Sequence, residues 1–117
     1  MKTRIDSHLP LAPAFLHILL ALAAEDLHGY GIMQEVARQS DGRFRLGPGT
    51  LYDNLQRLMK IGMVVEVSAR PDEKNSRRRY YRLSSLGRGV LSAEIARLDA
   101  VVREARLHLK IPSIREA

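Results

Sequence analysis

The sequence predicts a mainly α-helical fold that carries one β-hairpin and ends in a long helix. Three observations support this prediction. Helical periodicity fills the first half of the 117-residue chain, two short segments rich in β-branched and aromatic residues flank a basic loop, and a heptad pattern runs through the last helix. A chain of this length forms one domain.

The composition is that of a globular protein with an excess of positive charge. Hydrophobic residues make up 45% of the chain, and 19 lysines and arginines outnumber 13 acidic residues, which gives a formal net charge of +6. This excess predicts an anionic partner, either a nucleic acid or an anionic surface. The chain has no cysteine, which excludes disulfides and thiolate metal sites.

Neither a membrane segment nor a catalytic motif is predicted. The most apolar stretch, residues 14–24, is shorter than the roughly 20 residues that span a bilayer, and we interpret it as a buried helix rather than a signal peptide. The four histidines form no metal-ligand pair, and glycine-rich phosphate loops are missing from the sequence. We therefore expect a cytoplasmic protein that is not an enzyme, with no cofactor, no metal and no membrane partner.

Apolar periodicity and turn residues delimit three short helices in the first half of the chain. The predicted helices span about residues 13–24, 30–39 and 49–61. Leu27-His28-Gly29 is predicted to be a turn, because glycine adopts a positive φ at no steric cost. Residues 44–46 are predicted as a candidate for a very short strand.

The second half of the chain is predicted to form a hairpin followed by one long helix. Strands at about 64–67 and 80–83 flank a polar loop at 69–78, and alternation places Tyr81 and Leu83 on one face of the second strand. Ser84 and Ser85 cap a helix that spans about 85–109 and ends before Pro112.

This order of elements is the plan of a winged helix-turn-helix domain followed by a C-terminal dimerisation helix. The second and third helices form the helix-turn-helix, and the hairpin forms the wing. The domain is predicted at residues 10–83 and the dimerisation helix at 84–111, with loose tails at 1–9 and 112–117.

The third helix carries groups that can bind a DNA groove. A helical wheel turns Leu51, Leu55 and Leu58 toward the core and polar side chains toward solvent. The exposed and boundary residues that we assign to DNA contact are Thr50, Tyr52, Asn54, Arg57 and Lys60. Hydroxyl, amide and cationic groups bind phosphates and base edges. Asp53 would be repelled by phosphate unless it accepts from a cytosine amino group, and an ordinary solvated face is the alternative.

The loop of the hairpin concentrates the basic charge. Its cations and those of the adjoining strand are Arg70, Lys74, Arg77, Arg78, Arg79 and Arg82. A flexible basic loop between two strands suits a minor groove or a row of phosphates, so Lys74, Arg77 and Arg78 are predicted DNA contacts. The alternative is a solvated loop that is basic for solubility.

The last helix carries a heptad seam. Its apolar residues, separated alternately by four and three positions, are Leu91, Ile95, Leu98, Val102, Ala105 and Leu109. A helix of this length cannot lie along its whole length on so small a domain, so we expect part of the seam to pair with a second copy. A two-fold dimer of this kind suits a palindromic DNA site. The alternative is that the helix folds back on the first helix of its own chain.

Three motifs resemble those of the PadR-like family of transcriptional regulators. Residues 28–32, HGYGI, resemble the start of the second helix in that family, residues 48–52, PGTLY, resemble its recognition helix, and residues 79–83, RYYRL, resemble its second wing strand. The resemblance extends over about residues 10–109, and the single C-terminal helix is similar to that of the short subfamily.

The resemblance implies a homodimeric, cytoplasmic regulator, usually a repressor that occludes a promoter. It implies phosphate contacts from Tyr30, Thr50 and Tyr52, and a final helix that pairs with the partner subunit near the first helix, which contains Phe15. Some short members stack planar drugs on a tryptophan of the last helix, but this chain has no Trp. The pocket of a small-molecule effector is then small, aliphatic or absent. A protein-binding winged helix without DNA binding and a ligand sensor are the alternatives.

Overall fold

A computed structural model describes residues 4–68 and 78–112 of the chain. The helices are a short 3₁₀ turn and α1 to α4, at Asp6–His8, Pro13–Ala21, Gly29–Gln39, Pro48–Lys60 and Ser85–Leu109. The strands β1 to β3 are Leu27–His28, Val64–Val67 and Tyr80–Leu83. Lys74 and Arg77, two predicted DNA contacts, lie outside the described residues.

The three strands form one antiparallel sheet with β3 in the centre. Val64 of β2 pairs with Leu83, as the predicted hairpin requires, and Leu27 of β1 pairs with Tyr81 on the other edge. Leu27 and His28 were predicted to lie in a turn, and this prediction is wrong. A two-residue strand shows no alternation in sequence and exists only through its pairing with β3.

Residues 44–46 do not form the short strand that was considered for them. The ring of Phe44 stacks on His17 of α1 with 4.3 Å between ring centroids, and its backbone N–H donates to Ser40 Oγ at 2.9 Å. Leu46 is buried in the core. These side-chain contacts fix the loop between α2 and α3 without a β-ladder.

One hydrophobic core joins the first three helices, the sheet and the first half of α4. Residues from each of these elements are inaccessible to solvent, and they include Ile18, Ile32, Leu51, Leu55, Leu58, Val64 and Val90. The predicted apolar arc of α3 is therefore confirmed. Tyr80 is buried like Tyr81, although Arg82, which was predicted to share its face, is exposed. The burial of Tyr80 comes from the ring of His28 in β1, which packs edge to face against it.

Ser84 and Gly87 fix α4 to the turn that follows α3. The Ser84 hydroxyl accepts from the Gly87 N–H at 3.0 Å and donates to the carbonyl of Gly62 at 2.5 Å, so the predicted cap is confirmed. A Cβ on Gly87 would lie 2.0 Å from the Met63 carbonyl oxygen. The absence of a side chain thus lets α4 begin directly against the hairpin.

Part of the predicted N-terminal tail belongs to the folded domain. Ile5 and Leu9 pack against the core, and Ile5 lies against Gly89 of α4. The backbone N–H of Leu11 donates to the buried carboxylate of Glu94 at 3.1 Å. The prediction of a loose tail at 1–9 is therefore wrong for residues 5–9, because apolar side chains spaced irregularly gave no periodic signal there.

The two halves of α4 have different surroundings. Leu91, predicted as the first seam residue, is instead buried in the core of its own chain, because the first half of α4 packs on α1 and β3. The alternative that α4 folds back on α1 thus holds for this half. Leu98 is half-buried, whereas Ile95, Val102, Ala105 and Leu109 are exposed.

Candidate nucleic-acid interface

Helix α3 presents a polar face to solvent from a firmly packed base. It begins at Pro48, whose missing N–H is not needed in the first turn, and its apolar side packs on α2 and β2. Thr50, Gln56 and Lys60 are exposed on the opposite side. The structure thus leaves Thr50 and Lys60, both predicted DNA contacts, accessible to a partner.

Arg57 and Asp53 form an ion pair on this face. Arg57 Nη2 lies 3.2 Å from Asp53 Oδ2, and both side chains are more than half exposed. A surface pair at this spacing stabilises a helix by about 0.3–0.5 kcal/mol, so a stronger partner can displace it. The pair explains how Asp53 is tolerated on a face predicted to meet phosphates, because its charge is matched by a neighbouring cation.

Asn54 is directed along its own helix. Its amide Nδ2 donates to the carbonyl of Thr50 at 2.8 Å, and the residue is half-buried. This bond uses one of the two hydrogens of Nδ2, so the other hydrogen and the amide oxygen remain available for the predicted DNA contact by Asn54.

A cavity of about 480 Å³ lies beside α3, where the start of α2 meets the end of the wing. We call it the basic cavity, and its lining residues are His28, Gly29, Tyr30, Tyr52, Arg78, Arg79 and Tyr81. It brings together three predicted DNA contacts that are distant in sequence, namely Tyr30, Tyr52 and Arg78. Among the described residues that line it, none is acidic.

Gly29 allows Tyr52 to lie against the start of α2. A Cβ on Gly29 would come within 2.1 Å of the Tyr52 hydroxyl oxygen. Gly29 was predicted to adopt a positive φ, but the positive-φ glycines in the described residues are Gly42 and Gly62. Gly29 is therefore required for close approach of a side chain and not for a turn conformation.

His28 caps α2, a role that the sequence argument missed. Its Nδ1 accepts from the backbone N–H of Gly31 at 3.0 Å, and its ring meets Tyr80 edge to face at 5.4 Å. Histidine is not among the usual N-cap residues, so the spacing alone gave no signal for this contact.

The basic residues at the end of the wing divide by their partners. Arg82 forms a forked pair with Asp26, with 2.8 Å between Nη2 and Oδ2, and this carboxylate raises the pKa of Arg82. Arg79 lies 4.0 Å from Glu66 across the hairpin. Arg78 faces the basic cavity. The charge of Arg82 is therefore paired with an acidic residue of the same chain. The sequence could not show this pairing, because Asp26 lies far away in the chain.

Within residues 4–68 and 78–112, no group of three or more histidine or acidic side chains could hold a metal ion. In the same ranges, no helix has both the length and the apolar character needed to cross a bilayer.

The chain is similar to known transcriptional regulators over most of its length. Residues 18–93 match the Transcriptional regulator PadR-like family. The transcriptional regulator Rv3488 of Mycobacterium tuberculosis is 36% identical over 89 residues, which cover 76% of this chain and 78% of that protein. An uncharacterized protein X of Lysinibacillus sphaericus is 36% identical over 87 residues, which cover 74% and 78% of the two proteins.

Solved structures confirm the predicted fold class. A PadR family transcription regulator from Clostridium difficile R20291 superposes with a TM-score of 0.71 at 21% identity and covers 84% of this chain and 99% of its own. Bacillus subtilis PadR, solved with operator DNA, superposes with a TM-score of 0.63 at 19% identity, over 74% of this chain and 48% of its own. With a family match over residues 18–93, the three motifs lie in a domain of known kind, and the chain belongs to the PadR-like family of transcriptional regulators.

Proposed function

We propose that the protein is a sequence-specific DNA-binding repressor that acts as a homodimer and occludes a promoter. The observation that carries this proposal is the basic cavity beside the exposed face of α3, where Tyr52 belongs to both. Phosphate contacts in the cavity would hold the domain on the duplex, while Arg57 and its neighbours reach base edges in the major groove. In this function the protein binds DNA and catalyses no reaction.

The relatives support this proposal. Bacillus subtilis PadR, which has the same fold, was solved in complex with operator DNA. The Mycobacterium tuberculosis relative is named a transcriptional regulator. A regulator of this kind acts where the chromosome is, so the proposal includes a cytoplasmic location.

The second half of α4 supports the homodimer. At 1.5 Å per residue, α4 is about 37 Å long, and its apolar residues beyond Leu98 face solvent, with Val102 44% and Leu109 67% exposed. A second copy paired along this half, near Phe15 of α1, would cover them and present two α3 helices to a palindromic operator. A small-molecule effector would act by binding between the copies and changing the distance between the two α3 helices.

The proposal is tested by fluorescence anisotropy with the protein's own promoter region and a random duplex of equal length, across a series of salt concentrations. We expect the promoter to bind more tightly by about a thousandfold or more, and affinity to fall as salt rises. Equal affinity for both duplexes would contradict sequence-specific binding. No binding to either, with a protein partner recovered instead, would favour the protein-interaction alternative.

A further inference from the structure

A second concavity adjoins the basic cavity at Tyr30. It has a volume of about 630 Å³ and lies between α2 and the loop that leads into α3. We call it the loop groove, and Met33, Gln34, Arg45 and Leu46 are among the residues that line it. Tyr30, which is 62% exposed, lines both concavities. The loop groove therefore continues the surface of the proposed DNA interface.

The neighbours of Arg45 hold it at the edge of the loop groove. Phe44, which precedes it, stacks on His17, and Leu46, which follows it, is buried in the core. Arg45 itself is exposed. Its Nη2 lies 3.2 Å from the position that a Cβ on Gly42 would take, so the guanidinium rests against the turn that ends α2. The loop thus presents one cation from a backbone that is anchored on both sides.

The charge of Arg45 is not used by the described part of the fold. Among the described residues, its side chain forms neither an ion pair nor a hydrogen bond. Arg38, near the end of α2, differs in this respect, because its Nη2 lies 2.7 Å from Glu35 Oε2. None of the described residues that line the loop groove is acidic. A guanidinium in such a place is a binding group for an external anion.

The loop groove combines this cation with an apolar floor. Met33, Ala37 and Leu46 supply apolar surface, while Gln34 and Arg45 supply donors. A sugar–phosphate backbone fits such a surface, because the carbon atoms of the sugar contact the floor while the phosphate accepts from the guanidinium. Continuity with the basic cavity through Tyr30 favours DNA over any other anionic partner.

We infer that the loop groove binds a second phosphate of the DNA backbone through Arg45, in addition to the phosphate held in the basic cavity. This inference rests on the proposed DNA binding and adds Arg45 to the contact residues. The DNA strand would cross Tyr30 on its way between the two concavities. Because phosphate contacts do not distinguish bases, Arg45 raises the affinity for every duplex and does not select the operator.

The test compares Arg45→Ala with Arg45→Lys on the promoter fragment and on a random duplex, across a series of salt concentrations. We expect Arg45→Ala to bind both duplexes about tenfold more weakly at low salt and to reduce the slope of log affinity against log salt by about one. Arg45→Lys keeps the charge, so its slope should equal that of the wild type. Because Arg45 is exposed, neither change should alter the melting temperature.

Unchanged affinity and slope in Arg45→Ala would overturn the inference, while promoter binding by the wild type would still support the proposed function. A loss confined to the promoter would overturn the assignment to a phosphate. A wild-type protein that binds neither duplex would contradict the proposed function, and this inference with it.

Arg43→Ala is the matched control, because Arg43 is an exposed arginine of the same loop that does not line the loop groove. It should change affinity and slope much less than Arg45→Ala does. An equal loss in the two variants would mean that the loop acts through its overall charge, and this result would overturn a specific site at Arg45.

Replacing single phosphates of the operator by uncharged methylphosphonates tests whether two phosphates are bound. We expect one position whose replacement weakens the wild type but has little effect on Arg45→Ala, and a different position with this behaviour for Arg78→Ala. The losses of the two single variants should then add in the double variant, since each acts on its own phosphate. One shared position for both variants would overturn the second phosphate.

Discussion

Helices α3 and α4 are both amphipathic, but their apolar residues are buried to different extents. The apolar residues Leu51, Leu55 and Leu58 of α3 are all buried within the chain, and its other face is polar. The second half of α4 leaves Val102 and Leu109 exposed. A helix whose apolar residues are all buried presents its polar face to solvent, and this face suits a polar partner such as DNA. A helix that leaves apolar residues exposed suits another protein surface.

Among the substitutions that test this difference between α3 and α4, Val102→Glu is expected to have the largest effect. A carboxylate in the proposed seam should dissociate the dimer and leave the core intact, because Val102 lies outside it. Losing simultaneous contact with two half-sites should weaken operator binding by about a hundredfold or more. Sedimentation velocity checks the oligomeric state and anisotropy checks the affinity.

Ala100→Glu is the matched control, since Ala100 lies on the opposite side of α4 and is exposed. It should leave both the dimer and DNA binding unchanged. A Val102→Glu protein that sediments as a dimer would show that the seam lies elsewhere.

A smaller and more selective effect is expected from Arg57→Ala on α3. Removing a side chain that reads a base should reduce the preference for operator over random duplex by about 1–3 kcal/mol. Arg103→Ala is the control, because Arg103 pairs with Asp99 on α4 at the same four-residue spacing and at 3.5 Å. The measurement is affinity for both duplexes. Equal loss on both with Arg57→Ala would remove Arg57 from the base-reading set.

The parts of the fold that were predicted from sequence depend on local signals. Strand 80–83, the start of α4 and the buried arc of α3 follow from alternation, a serine cap and helical periodicity, and the structure confirms their positions. Long-range pairing produced the errors. The burial of Leu91, the pairing of β1 and the ion pair between Asp26 and Arg82 each depend on residues far away in the chain.

The candidate site was also predicted only in part, because local signals do not show which distant residues meet in the folded chain. The motifs identified Tyr30 and Tyr52, and the basic loop of the hairpin identified Arg78; all three line one cavity in the folded chain. His28 begins the first motif, but its place in the cavity was not predicted, because its contact with the Gly31 N–H is not a usual role of histidine at the start of a helix.

A moderate effect is expected from Gly29→Ala, which tests how α3 is joined to the basic cavity. The added methyl group would collide with the end of the Tyr52 side chain. Because this end can rotate away, the chain should fold and Tyr52 should leave its position. We expect operator affinity to fall about three- to tenfold, the value of one lost phosphate contact. Anisotropy and thermal unfolding measure the two consequences.

Gly31→Ala is the control for this substitution. A Cβ at Gly31 would make ordinary contacts of 3.5 Å or more, so affinity should stay near the wild-type value. If both variants bind alike, the position of Tyr52 against Gly29 does not matter for DNA binding.

The smallest effect is a pH dependence that comes from the first half of α4. Glu94 is 1% exposed, and Arg97, which donates to both of its oxygens at 2.6 and 3.0 Å, holds the pKa of this carboxyl below its ordinary value despite burial. A group with a lower pKa in the folded state stabilises the protein above its unfolded pKa and loses that contribution as pH falls through the folded pKa. Stability should therefore decline in acid partly through Glu94.

Glu94→Gln isolates this contribution, because the amide keeps an acceptor for the Leu11 N–H and cannot titrate. The difference in unfolding free energy between wild type and Glu94→Gln, measured with urea, should be largest near neutral pH and shrink below about pH 4. Glu35→Gln is the matched control on α2, since Glu35 and Arg38 have the same spacing but a more exposed carboxylate, and solvent screens such a pair. A difference for Glu94→Gln that does not change with pH would mean that packing of the side chain, and not its charge, joins the N-terminal segment to α4.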